Sequence, residues 1–108
     1  MTVESFAKST GFEPVCMPSP EKEIDGVYIG DLLSWVMGKA ESGNVWITIM
    51  SNLNVVAVAT LADVSAILLC EGVLLDAEVL ALAESRGVNV LSTPLSAYEA
   101  SKLISGII

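Results

Sequence analysis

The sequence predicts an α/β domain over residues 1–108, with a mainly parallel sheet of about five strands flanked by helices on both faces. Three observations carry this. The stretch DGVYIGDLLSWVMGKAESGNVWITIMSN, residues 25–52, reads as strand, helix, strand. The runs VWITIM (45–50) and AILLC (66–70) are almost wholly apolar, as central strands covered on both faces are. Strand and helix patterns then keep alternating toward the C-terminus, which implies parallel neighbours joined by crossovers.

Each element follows from local chemistry. Thr2 can cap a short helix over 3–10, with Phe6 and Ala7 facing inward and Gly11 ending it. Residues 12–16 form a short strand. The segment 17–23, MPSPEKE, is a loop, because two prolines remove backbone donors and its other residues are mostly polar. Residues 24–30 resume as a strand. Asp31 is expected to cap the next helix, where its charge suits the positive end. Leu32, Leu33, Val36, Met37 and Ala40 then recur at helical spacing and predict its inward stripe. Gly43-Asn44 breaks the chain before the strand 45–50.

Residues 51–65 pull two ways. Val55, Val56 and Val58 favour a strand by propensity. A crossover between parallel strands needs about a dozen residues and usually holds a helix. A helix over about 53–63 would be roughly 16 Å long, close to the roughly 17 Å of a five-residue strand. Length decides for the helix, with Asn52 as its cap. Strand 66–70 turns out at Glu71-Gly72. A helix runs from Asp76 to about Arg86, with Val79, Leu80 and Ala83 inward and Gly87 as its stop. Residues 88–91 are the last strand. Ser96 and Glu99, three apart, form a capping box that opens a helix to about Ile104.

Composition narrows function. With 53% hydrophobic and 17% charged residues the chain is globular, and at this size it buries roughly 65% of its unfolded surface. A mean hydropathy of +0.66 leaves apolar side chains over for a subunit interface. Thirteen acids against five scattered bases give a net charge of −8. Nucleic acid and anionic membranes need clustered cations, so neither is an expected partner. No apolar run reaches membrane-span length, and MTVESFAKSTG carries Glu4 and no long apolar segment, so no secretory signal is read there. A cytoplasmic location is expected, with Cys16 and Cys70 as buried reduced thiols.

The chain has no histidine and only two cysteines. It therefore lacks the commonest general base, and one chain cannot form a four-thiolate metal site. No metal, cofactor or catalytic residue is assigned. GxGxxG and GxxxxGK[ST] are also absent, against dinucleotide binding and P-loop phosphoryl transfer. If the sheet is parallel, Gly30-Asp31, Ser51-Asn52, Glu71-Gly72 and Ser92-Thr93 gather at the carboxyl edge, where open α/β sheets bind ligands. The candidate ligand-binding residues are Asp31, Ser51, Asn52, Asn54, Thr93 and Ser96. Each is equally a good cap or turn residue. Trp35 is read as packing or interface, and Trp46 as core. The apolar tail 103–108 either closes the core or docks on a partner.

GVYIGDLLSWVM, then WITIMSNLNVVAVATLADVSAILLCEG, then GVNVLSTPLSAYEAS, resemble the DRTGG-domain family over nearly the whole chain. The resemblance implies a small α/β domain that dimerises and has no catalytic role. Relatives accompany phosphotransacetylase domains or CBS-domain pyrophosphatases, and the N-terminal domain of HPr kinase/phosphorylase is similar. It also implies a redox or hydrogenase-associated subunit as a possible partner protein. This chain departs from the pattern at two turns. Met50-Ser51-Asn52 stands where relatives have Gly-Asp-Arg, and Cys70-Glu71-Gly72 where they have Thr-Gly-Gly. A kinase activity does not carry over, because the catalytic P-loop domain is absent.

Three functions compete. One is a non-catalytic regulatory or adaptor domain acting through dimerisation and protein contacts, tuned by a small ligand at the carboxyl edge. The second is a nucleotide or small-metabolite sensor. The third is an enzyme, with catalytic groups from a partner chain or with an Asp31–Glu71 site holding a metal.

Overall fold

The computed structural model describes residues 1–108. In chain order the elements are α1 (Val3–Thr10), β1 (Glu13–Cys16), β2 (Gly26–Ile29), α2 (Leu33–Lys39), β3 (Asn44–Thr48), α3 (Leu53–Ala62), β4 (Ala66–Leu69), α4 (Ala77–Ser85), β5 (Val90–Ser92) and α5 (Ala97–Ser105). The strands form one sheet in the order β1-β5-β4-β3-β2. Strands β2 to β5 are mutually parallel, and β1 adds antiparallel to β5. The sheet is thus mainly parallel with one antiparallel edge. No helix is long and apolar enough to cross a membrane.

The winding explains the layering. Each of the three crossovers from β2 to β5 steps one strand in the same direction. Right-handed crossovers must then place their helices on a common face. That face carries α2, α3 and α4 over a core of Val36, Trp46, Val55, Val56, Ile67, Leu69 and Val90. The opposite face carries α1 and α5 over Val3, Phe6, Val45, Ile47, Leu68, Leu91 and Ile104. Consecutive residues of β3 and β4 supply alternate cores. This is why both runs are apolar without alternation.

Several elements form as their ends dictate. Thr2 accepts from the Ser5 amide, and Gly11 closes α1 in the left-handed region at φ 76°. The long valine run 55–58 is helical. A strand there could not have returned the chain to the start of β4, so crossover length overrides β-propensity. Helix α2 differs from its expected stripe. Leu33 and Val36 turn inward, whereas Leu32 precedes the helix and is exposed, as is Met37. A helix of two turns contacts the sheet along a narrow line, and positions 33, 36 and 40 fall on it.

The amino edge of the sheet is tied by Asn89, which is 1% exposed. Its Nδ2 donates to the Ser19 carbonyl at 2.7 Å and the Ser65 carbonyl at 2.9 Å, and its Oδ1 accepts from the Ser19 amide at 2.9 Å. One side chain thereby fastens the proline-containing loop to β4 and β5. The two sheet margins differ. Strand β1 carries Glu13, Pro14 and a bulge between Pro14 and Cys16. Strand β2 is GVYI, with neither charge nor proline.

Candidate functional site

The parallel strands bring four loops to the carboxyl edge, at residues 30–32, 49–52, 70–76 and 93–96. Asp31 lies among them but does not cap α2. Leu32 holds the N-cap position and makes no side-chain cap. The Asp31 carboxylate turns instead to the neighbouring strand. Its Oδ1 accepts from the Thr48 hydroxyl at 2.8 Å and from the Ile49 amide at 3.0 Å. Thr48, 2% exposed, passes the contact on by accepting from the Met50 amide at 3.1 Å. The result is a polar staple between the ends of β2 and β3, and Trp46 adds to it by donating Nε1 to the Gly30 carbonyl at 2.8 Å. Sequence reasoning missed Thr48. A lone hydroxyl inside the apolar run VWITIM was the signal.

The other candidates divide into two groups. Asn52 occupies the N-cap position of α3 without a side-chain bond to the helix, so the capping expected of it is not made. Ser51 beside it is half-buried, and Asn54 is exposed. These three stand together at the start of α3, next to the Asp31 staple. Thr93 and Ser96 are committed to local structure. Thr93 is buried, and its hydroxyl accepts from the Leu95 amide at 3.2 Å. Ser96 and Glu99 complete the expected capping box, at 3.2 and 3.1 Å.

Ligands of open α/β sheets favour the crevice where successive connections leave for opposite faces. Here that point lies between β4, which feeds α4, and β5, which feeds α5. It is sealed by backbone. Glu71 and Gly72 both adopt left-handed conformations, at φ 57° and 72°. The Glu71 amide donates to the Leu95 carbonyl at 2.8 Å, and the Gly72 amide to the Thr93 carbonyl at 3.1 Å. The amides that would have faced a ligand are consumed in joining the two loops. Helices α2, α3 and α4 all begin at this edge without a side-chain cap, and of these α3 starts among the polar residues Ser51, Asn52 and Asn54.

Electrostatics at the edge are acidic. Cys70 lies fully buried beneath it, and its thiol is pushed up to about 11 by burial, then by the charges of Glu71 and Asp31. Cys16, also buried, is pushed up to about 11, by burial and then by Glu84, against a lowering contact with the Val90 backbone. Both cysteines are free thiols. At the opposite, amino edge a polar recess of about 280 Å³ is lined by Lys22, Asp25, Ser42, Asp63 and Ser65 among others. There Ser42 donates to Asp63 at 2.7 Å and Lys22 pairs with it at 3.4 Å. These contacts, Ser42 first, hold the Asp63 carboxyl below its ordinary range.

The chain resembles the solved CBS and DRTGG domains of the regulatory region of Clostridium perfringens pyrophosphatase, complexed with the activator diadenosine tetraphosphate. The TM-score is 0.73 at 18% identity, over 95% of this chain and 45% of that one, so the present chain spans less than half of its neighbour's length. Comparison with curated proteins gives no match. The family model described as the DRTGG domain matches residues 20–107. By fold and by that match, the chain belongs to the DRTGG-domain family.

Proposed function

We propose that this chain is a non-catalytic regulatory or adaptor domain that acts through self-association and protein contacts. Membership of a domain family found in a pyrophosphatase regulatory region supports the regulatory half of this reading. The observation that carries the contact half is the exposed apolar surface. Ile29, Leu32, Trp35, Met37, Ile49 and Leu74 are all exposed, on a domain that already fills two cores. Scattered single residues would need no explanation, but six large side chains around β2, α2 and the carboxyl edge do. Size-exclusion chromatography with light scattering tests self-association. The expected mass is about twice 11.3 kDa at micromolar concentration, and a strict monomer refutes it.

A second reading, a nucleotide or small-metabolite sensor, draws on the activator bound by the Clostridium perfringens region. In this chain the ligand would meet the open start of α3, at Ser51, Asn52 and Asn54, beside Asp31. Thr93 and Ser96, whose hydroxyls each accept a local amide bond, keep their O–H protons to offer a ligand. No lysine or arginine occurs in the edge loops, so a polyphosphate would find no counter-charge and a neutral or cationic metabolite suits the edge better. A thermal-shift panel of nucleotides, acyl phosphates, sugar phosphates and amines tests this. A ligand at about 100 times its Kd stabilises by about 2.7 kcal/mol, and a panel without any shift removes the reading. A cytoplasmic setting and a redox-associated partner subunit are part of the proposal. Co-purification of such a subunit with the tagged chain from its own host tests the partner, and cell fractionation of that host tests the setting.

A further inference from the structure

The carboxyl edge has a chemistry of its own, apart from any small ligand. Leu32, Ile49, Leu53 and Leu74 are all exposed there, Leu74 at 80%. They belong to three neighbouring loops and the first residue of α3. The Asp31 carboxylate binds the Ile49 amide, and the Cys70 amide donates to the Thr48 carbonyl at 3.1 Å. The four residues thus belong to adjoining segments of one edge, a strip from the end of β2 to the start of α4. Beside them stand the exposed carboxylates of Asp31, Glu71 and Asp76. None of the strip segments contains a base.

We infer that this strip is the docking surface for a segment of a partner protein that is both apolar and basic. This deepens the adaptor reading and rests on it. The apolar residues supply the area, and the one-signed border decides the occupant. A second copy seated strip to strip would set Asp31, Glu71 and Asp76 against the same acids of its partner. A segment alternating leucine-like and lysine-like faces meets both features at once, laying its apolar side on Leu32, Ile49 and Leu74 and its cations over the border.

The test is an amide-resolved NMR titration of the whole chain with a designed helical peptide of about fourteen residues bearing leucine and lysine faces. Two control peptides replace lysine by glutamate or leucine by serine. Shifts are expected to concentrate at 30–32, 49–53 and 70–76. Leu74→Ser is expected to weaken binding about tenfold, and raising the salt is expected to weaken it further as the Debye length shrinks from about 30 Å at 0.01 M to about 10 Å at 0.1 M. Asp76→Asn, whose side chain makes no helix cap, should also weaken it without unfolding the domain. Equal binding of either control peptide, shifts spread over both edges, or insensitivity to Leu74→Ser overturns the inference. So do strip shifts that depend on protein concentration without peptide, which would mean a second copy sits there. Light scattering separates the two claims, since a strict monomer that still binds the leucine–lysine peptide at the strip refutes self-association alone.

Discussion

Replacing Asn89 by alanine probes the polar junction at the amino edge of the sheet. The amide group makes three hydrogen bonds, at 2.7, 2.9 and 2.9 Å, and is almost fully buried. Truncation leaves the Ser65 carbonyl without its Nδ2 donor in a buried residue, and the Ser19 amide and carbonyl without theirs in a half-buried one. A stranded buried group costs about 1–3 kcal/mol, and groups that water can reach cost less. The sum is about 3–5 kcal/mol, against a total stability of roughly 5–15 kcal/mol for a domain of this size. Urea unfolding followed by the fluorescence of Trp46, itself fully buried, measures it. Asn89→Asp adds a sign test. It keeps the shape but turns a carboxylate oxygen toward two carbonyls, so the new carboxyl titrates above its ordinary value of about 3.9 when folded. Stability should be retained at low pH, where the group is protonated and donates, and lost as pH rises through the folded value. A loss below about 1 kcal/mol for Asn89→Ala, or a pH-independent Asn89→Asp, would refute the reasoning.

Other perturbations follow from the same geometry. Asp31→Ala should cost about 1–2 kcal/mol by releasing Thr48 and the Ile49 amide, whereas Asp31→Asn, which keeps an acceptor, should cost less; urea midpoints decide. Cys16 and Cys70 both have folded values of about 11, above their unfolded ones. Their contribution is therefore intact below about pH 8.5 and lost as pH rises toward 11, so the urea midpoint should fall on the alkaline side, and alkylation at pH 8 should require prior unfolding. Ser96→Ala removes one arm of the capping box and should lower stability by about 1 kcal/mol, read as a shift in thermal midpoint without a change in the circular dichroism of the folded state.

The sequence was most legible where one local rule had no competitor. Thr2, Gly11, Ser96 and Glu99 announced helix ends and behave so. The segment 53–62 was harder, and the distance a crossover must cover settled it against its own valines. What stayed hidden depends on neighbours far along the chain. Asp31 looks like a cap because caps are local, yet its partners Thr48 and Ile49 lie seventeen and eighteen residues away. Asn89 looked like an ordinary residue in a valine-rich strand, because nothing near it in sequence reveals Ser19 or Ser65. The antiparallel placing of β1 was hidden likewise. A short strand followed by a loop carries no mark of direction. The sealing of the crevice between β4 and β5 needed the backbone angles of Glu71 and Gly72, which a glutamate rarely adopts.

The unlike margins of the sheet set a limit on growth. One border is closed to newcomers by a residue without an amide proton and by a kinked ladder, while the other is plain and short. Two molecules that met plain border to plain border would leave only closed borders outward. Any such joining therefore stops at a pair and cannot propagate into a fibre.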